Sequence, residues 1–241
     1  MSLIGFLKRW LKILTTPPTE IIVEDMYYLG VLSLPVLLIV AAFAGMTSAI
    51  EFYDTFNKIG GTYTVGIFIT YAALRELGPV LAGAVVAGKG GAMLTSMIAY
   101  MKDSGQIRAL ESLGVNPYFY VVGPAIWAGI IVTPLMVVIS DFTIIATSLI
   151  TYVFQLHGST GTFYKNFIDY SSITDLFNGV IKGVFFGLII GIISSYTGLN
   201  AEEGPEGIGN ATRRAIVYII IWILIANVTL SLIFYGSMYI R

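Results

Sequence analysis

Long apolar stretches constrain the fold of this 241-residue chain more than any other feature. Four of these stretches carry no charge, and a fifth, residues 59–88, is interrupted only by Arg75 and Glu76. Each is close to the roughly 20 residues that a membrane-spanning helix needs, and only helices can satisfy their own backbone hydrogen bonds segment by segment in lipid. We therefore predict an all-α integral membrane protein. The four stretches without any charge are 26–50, 112–140, 183–201 and 215–240.

The residue inventory excludes several kinds of site. The absence of cysteine rules out thiolate metal sites, and a single histidine, His157, argues against a histidine-based metal or catalytic centre. Residues 83–89 fit G-x-x-x-x-G-K, but Gly90 follows where a phosphate-binding loop needs Ser or Thr. We predict no catalytic residue, no metal and no cofactor in this chain, and no nucleic-acid partner.

The predicted layout is a single transmembrane domain over residues 1–241. Residues 1–16 form an amphipathic helix that lies in the membrane interface, as a plain anchor or as a gate for lipid entry. With the N-terminus in the cytoplasm, eight Lys and Arg residues lie inside and three outside, which agrees with the positive-inside rule. The predicted spans are 28–50, 63–88, 118–154, 176–199 and 215–239.

The segment between the second and third spans is predicted to form a helix on the cytoplasmic surface, over residues 90–114. Within ten residues this segment carries Lys102, Asp103, Gln106, Arg108 and Glu111, and it stops at Gly114 and Pro117. A surface helix between two spans is a place where a soluble partner can bind a membrane protein.

Charged residues within the apolar stretches point to functional or structural pairs. Arg75 and Glu76 mark either a transport pathway or an ion pair with another span, and Pro79 bends the helix beside them. Asp141 either pairs with Lys182 or, as we expect, is solvated near the outer interface. The third apolar stretch continues past Asp141 to Phe154, which is too long for one simple span. We therefore predict either a helix that projects beyond the bilayer or a re-entrant turn after Asp141.

A four-residue repeat of glycines marks a smooth face on the fourth span. Such a stripe lets another helix approach closely. We predict that it serves helix packing, within the chain or across a dimer. Its members are Gly179, Gly183, Gly187 and Gly191.

A distinctive set of short motifs lies in the central segment and near the C-terminus. They are Arg75-Glu76-Leu77-Gly78-Pro79-Val80, Ala87-Gly88-Lys89-Gly90-Gly91-Ala92, Met101, Gln106-Ile107, Ala109-Leu110-Glu111, Gly114-Val115, Pro117 and residues 207–215. In these motifs the chain resembles the MlaE/YrbE-type permeases, the membrane subunits of ABC lipid transporters that work with MCE proteins. Lys89 stands where this family commonly has arginine, so a bidentate contact to phosphate becomes a point charge.

The resemblance implies an assembly in the bacterial inner membrane. The chain would form a homodimer, bind two cytoplasmic ABC ATPase subunits that hold ATP and magnesium, and sit beneath an MCE-protein hexamer. Phospholipid would move between the inner membrane and this conduit toward the outer membrane. The residues that would dock into the ATPase are Gln106, Arg108, Leu110, Glu111 and Leu113.

A lipid cavity is expected between the two copies, lined by the first, second and fifth spans. The residues assigned to it, or to intramembrane charge, are Leu74, Arg75, Glu76, Leu77, Leu81 and Lys89. Two alternatives stay open: an ion-coupled secondary transporter, although the sequence shows no internal repeat, and an ABC permease for another hydrophobic substrate such as a sterol.

Overall fold

The computed structural model describes residues 18–236, and the predicted interfacial helix over 1–16 lies outside them. Between residues 18 and 236 the chain is helical and contains no strand, which confirms the all-α membrane class. The helices are α1 Thr19–Met26, α2 Leu34–Asn57, α3 Val65–Ala72, α4 Gly78–Val85, α5 Ala92–Asp103, α6 Gln106–Ser112, α7 Gly123–Phe154, α8 Thr160–Tyr170, α9 Ile173–Leu199 and α10 Gly204–Tyr235.

Within residues 18–236, five helical segments are long and apolar enough to cross a membrane. Each of the first three spans is assembled from shorter helical elements joined end to end, whereas the fourth is α9 and the fifth is α10. The five spans are Thr19–Asn57, Thr62–Asp103, Tyr118–Phe154, Ile173–Leu199 and Gly204–Tyr235.

Wide π-helical turns let these spans continue past prolines. A proline has no N–H and its ring collides with the carbonyl four residues earlier. Pro35, Pro79 and Pro124 each have that earlier residue inside a π-helical turn, which widens the helix at the point of collision. The turns are Tyr27–Val31, Ala73–Leu77 and Tyr118–Val122.

The helix of the second span continues past the predicted end of that span at residue 88. The glycines around Lys89 form a further π-helical turn, Val86–Gly91, and the helix continues as α5 to Asp103. Two of these glycines, Gly90 and Gly91, serve close packing: a side chain at Gly90 would meet the Cα atom of Leu29 at 2.9 Å. The segment predicted as one surface helix over 90–114 is therefore made of two helices, the end of this long helix (α5) and α6.

The third span follows one of its two open predictions, a continuous helix, and the segment after it is also helical. Helix α7 continues through Asp141 to Phe154, so the chain makes no re-entrant turn there. The segment between the predicted spans 118–154 and 176–199 contains α8, which the side chain of Ser159 caps through a contact with the Thr162 amide. The many polar residues around its one buried aromatic, Phe163, masked this helix in the sequence.

The described residues pack into two compact units, each with its own apolar core. Unit 1 comprises 18–33, Ala84–Thr133 and Val184–Ile225. One of its clusters joins Val122 and Ile126 of the third span to side chains of the fourth, such as Leu188 and Ile192. Each of the two candidate sites described below lies within one unit, the groove in unit 2 and the surface helix α6 in unit 1.

Unit 2 comprises Leu34–Gly83, Pro134–Gly183 and 226–236. Its core joins the first, second and third spans to α8, with Tyr152 packed against Phe163 at 5.6 Å between ring centroids. The first and third spans also touch through backbone: Ser148 Oγ donates a hydrogen bond of 2.8 Å to the carbonyl of Gly45.

The predicted glycine stripe lies in close helix packing inside the chain. In unit 1, a side chain at Gly187 would collide with the backbone of Gly129 on α7. In unit 2, a side chain at Gly183 would meet the Cα atom of Pro134 at 2.7 Å. In both units, the absent side chains let α9 lie directly against α7, which is how small residues stabilise helix pairs in membranes.

Candidate functional site

A groove of about 510 Å³ opens in unit 2, and its walls come from the first, second and fifth spans. Aromatic and aliphatic side chains form most of the wall, and a charged cluster lies among them. The mixture suits an amphipathic ligand, because apolar walls fix its body and few polar groups fix its orientation. The lining residues are Phe52, Phe68, Tyr71, Ala72, Arg75, Glu76, Asn227, Val228, Ser231, Leu232, Tyr235 and Gly236.

Lys182 is the buried centre of the charged cluster. Its side chain has no exposed surface, and its ammonium group donates to the carbonyl of Arg75 at 2.6 Å, to Glu76 Oε1 at 3.1 Å and to Ser231 Oγ at 2.7 Å. The Arg75 carbonyl is the one that Pro79 leaves without its usual helical donor. All three ammonium protons are therefore used, which is the condition under which a buried charge is tolerated.

Glu76 faces the groove and is fixed by three donors. Besides Lys182, Ser231 Oγ donates to its Oε1 at 2.6 Å and Asn227 Nδ2 to its Oε2 at 2.7 Å. Its side chain stays 45 % exposed. The carboxylate therefore ties the second, fourth and fifth spans together while one side of it remains open to the groove.

Arg75 is held in an aromatic sandwich at the wall of the groove. Its guanidinium carbon lies 4.1 Å from the ring centroid of Tyr71 and 4.7 Å from that of Tyr235. Its Nη2 atom pairs at 3.0 Å with Asp175, which is buried at the start of α9. The guanidinium has five N–H donors in total, so donors remain for a ligand in the groove.

The structure separates the intramembrane residues that the sequence grouped together. Arg75 and Glu76 lie at the groove, and each forms an ion pair with the fourth span. Leu77 and Leu81 pack on the cluster of Ala41, Ala73 and Ile144, away from the groove lining. Leu74 lines a different cavity of unit 2, and Lys89, in unit 1, donates to the carbonyl of Leu32.

Both expectations for Asp141 were wrong. It does not pair with Lys182, whose three donors are directed to other partners. It is not solvated either, because only 1 % of the residue is exposed. Its side chain lies against Gly78 of the second span, where a Cβ atom would collide with the carboxylate.

The fifth span contributes three polar groove residues that the sequence analysis missed. Asn227, Ser231 and Tyr235 recur every four residues and so lie on one face of α10. A polar stripe at helical spacing in an otherwise apolar span is a readable signal, comparable to the glycine stripe. Asp175 carried no such signal, because it stands at the polar start of its helix.

A second site lies in unit 1, at the surface helix α6. This helix starts after Gly105 and ends before Gly114, both of which have positive φ values of 78° and 76° that favour glycine. Most of the residues predicted to bind a soluble partner are exposed on it or directly after it, and Leu110 is half-buried. The exposed ones are Gln106, Arg108, Glu111 and Leu113.

Three contacts attach this region to the loop that precedes α10. Lys102 Nζ donates to the carbonyl of Ala201 at 2.6 Å, and Arg108 forms an exposed ion pair with Glu203 at 3.6 Å. Asp103 Oδ1 accepts from the Gly204 amide at 2.7 Å, at the positive N-terminal end of α10. These contacts connect the end of α5 and the helix α6 to the start of the fifth span.

Comparison with known proteins identifies the family. The sequence model described as Permease MlaE matches residues 22–233. The chain is 34 % identical over 208 residues to a probable ABC transporter permease protein of Rickettsia typhi, which covers 86 % of this chain and 80 % of that one. It is also 30 % identical over 220 residues to the intermembrane phospholipid transport system permease protein MlaE of Haemophilus influenzae, with 90 % and 84 % covered. This chain therefore belongs to the MlaE family and is an ABC transporter permease, a multi-pass protein of the inner membrane.

Proposed function

We propose that this permease moves phospholipid between the inner membrane and an MCE-protein conduit that leads toward the outer membrane. The observation that carries the proposal is the groove of unit 2, in which an apolar wall adjoins the guanidinium of Arg75. The Haemophilus influenzae relative is an intermembrane phospholipid transport system permease protein, which supports the same substrate.

The groove lining matches the two parts of a phospholipid. Phe52, Phe68 and Leu232 offer apolar surface for acyl chains. Arg75 offers planar N–H donors for a phosphate, a geometry in which arginine binds better than lysine. Lys89, which lies in unit 1 and donates to a backbone carbonyl, has no part in this assignment.

Energy would come from a separate ATPase chain that holds ATP and magnesium. Two such subunits would bind the exposed surface of α6 in a homodimer of this permease. Movement of α6 would then reach the fifth span through Asp103 and Lys102, because both residues contact the loop before α10. The fifth span also supplies Asn227 and Ser231 to the groove, so closure of the ATPases would change the groove.

The proposed orientation places the N-terminus and α6 in the cytoplasm and an MCE hexamer on the opposite side. The excess of Lys and Arg in the segments on the α6 side supports this orientation. The fifth span is the least buried of the five, and its exposed apolar residues offer a surface for the second copy.

Glu111→Lys is expected to uncouple the transporter. Glu111 is exposed on α6, so reversing its charge places a repulsive group in the proposed ATPase interface without disturbing the fold. We expect lipid-stimulated ATPase turnover of the purified complex to fall by about tenfold or more. Glu51→Lys, at an exposed carboxylate of α2 in unit 2, is the matched control. Unchanged turnover in Glu111→Lys would refute the assignment of α6.

A further inference from the structure

Helix α8 has a wide apolar face, and only half of that face packs on the protein. By helical periodicity, its large apolar residues follow one another around the circumference in the order Phe163, Phe167, Tyr164 and Ile168. Phe163 is buried in the core of unit 2, and Phe167 is half-buried. Tyr164 and Ile168 are 60 % and 54 % exposed. The outer half of the apolar face is therefore available to a contact outside the packed core.

The opposite side of α8 is polar. Lys165 and Asp169 lie beyond Ile168 around the helix, and both are exposed. An apolar face bordered by charged residues is typical of a helix that lies in the plane of a membrane surface. The position of α8 in the chain is consistent with this, because α8 joins the end of the third span to the start of the fourth.

The exposed half of this face continues onto the outer surface of the spans. Phe167 lines a cavity of about 280 Å³ together with Phe142 of α7 and Ile173 of α9. Phe142 and Ile173 are 59 % and 73 % exposed, so the cavity opens between the helices toward the outside. Large apolar side chains on the outside of membrane spans are solvated by acyl chains. The apolar face of α8 thus adjoins a surface that already faces lipid.

We infer that α8 is seated in the membrane surface, on the side opposite to α6, with Tyr164 and Ile168 in contact with lipid. The two helices are on opposite sides because the third span separates them in the chain. Lipid is the occupant that the surface favours, since the exposed face is continuous with the lipid-facing sides of α7 and α9. Tyrosine at the edge of this face is also typical of the membrane–water boundary.

Helix α8 is fixed on its other side to the second span, next to the groove. Asn166 Nδ2 donates to the carbonyl of Tyr63, and the Tyr170 ring packs edge-on against Tyr71 with 6.4 Å between centroids. Tyr71 is one of the two rings that hold Arg75. The inferred lipid contact of α8 therefore lies on a helix that packs directly against the groove wall.

Spin labels on single cysteines test this inference. The chain contains no cysteine, so Tyr164→Cys and Ile168→Cys each place a label at one defined position on the exposed apolar face. Asp169→Cys, next to Ile168 on the polar side, is the matched control. Each labelled permease is assembled into the transporter complex and reconstituted in nanodiscs of phosphatidylethanolamine and phosphatidylglycerol. Collisions of the label with oxygen, which concentrates in the bilayer, are compared with collisions with nickel(II) ethylenediaminediacetate, which stays in water.

Labels at positions 164 and 168 should favour oxygen over nickel and lie roughly 5–10 Å deep in the boundary between headgroups and acyl chains. The label at position 169 should favour nickel. The inference is overturned if labels at 164 and 168 are as accessible to nickel as the label at 169, because the face would then be in water. Exclusion of both reagents from 164 and 168 would also overturn it, because a protein partner or a second copy would then cover the face. Equal preference for oxygen at all three positions would place the whole helix inside the bilayer and contradict a seat at the surface. The groove residues are unchanged in these variants, so failure here leaves the proposed transport function standing.

Discussion

Replacing Lys182 with methionine should lower the free energy of unfolding by about 3 kcal/mol and abolish transport. Methionine keeps the length of the side chain but removes three donors. The Arg75 carbonyl, Glu76 and Ser231 would then lose their shared partner. A broken buried ion pair is strongly destabilising because one charge remains without compensation. The partial exposure of Glu76 to the groove keeps the effect at the low end of the range.

Thermal unfolding in detergent and lipid transfer in proteoliposomes would measure the two effects of Lys182→Met. Lys165→Met, on the exposed surface of α8 in the same unit, is the matched control. Adding Glu76→Gln to Lys182→Met should recover part of the stability, since the uncompensated carboxylate is gone. If Lys182→Met were as stable as Lys165→Met, the charged cluster would have no role in holding the second, fourth and fifth spans together.

Val228→Trp should block lipid transfer while leaving the fold intact. Val228 is an exposed residue of α10 that lines the groove, so the larger ring occupies space proposed for acyl chains. A bulky insertion into a fitted site costs roughly 1–3 kcal/mol, which corresponds to about tenfold or more in lipid occupancy. The measurement is the rate of ATP-driven phospholipid transfer in proteoliposomes.

Val217→Trp provides the comparison for this variant. Val217 is on the same helix, has similar exposure and does not line the groove. It should transfer lipid at the wild-type rate. If both variants transferred lipid at the wild-type rate, the groove would not be part of the transport path. If both lost transfer to the same extent, any added bulk on α10 would be shown to disturb the assembly.

The spans could be predicted from sequence because they depend on length and hydropathy, both of which are local properties. The extent of the second span could not. Glycines between Val86 and Gly91 are typical of a loop, yet they remain helical because they allow Leu29 and Ile219 to approach the backbone. Tertiary packing therefore overrides the low helix propensity of glycine here.

Only part of the groove could be predicted from sequence, again because tertiary packing brings the other residues into place. Arg75 and Glu76 are visible as charges inside an apolar stretch, and Pro79 indicates a free carbonyl next to them. Their partners are about 100 residues or more away in sequence, at Asp175, Lys182 and Ser231. Which faces of the helices meet depends on how each helix is rotated, and no local pattern fixes that rotation. The four-residue spacing of polar groups on α10 would have narrowed the choice.

The satisfied charges also bear on the ion-coupled alternative. A transporter driven by an ion gradient needs an acid at depth that can bind and release the ion. Glu76 already accepts from Lys182, Asn227 and Ser231, which favours a fixed structural carboxylate. The ABC permease relatives are consistent with that interpretation.

The central claim, that the groove of unit 2 holds phospholipid, is tested most directly by photo-crosslinking in the purified complex. A photoreactive amino acid would replace Ala72, which lines the groove, or Leu224, an exposed residue of α10 outside it. After exchange into lipid-free detergent, mass spectrometry would identify the adducts. We predict a phospholipid adduct at residue 72 and none at residue 224. Adducts of equal yield at both positions, or none at residue 72, would contradict the account.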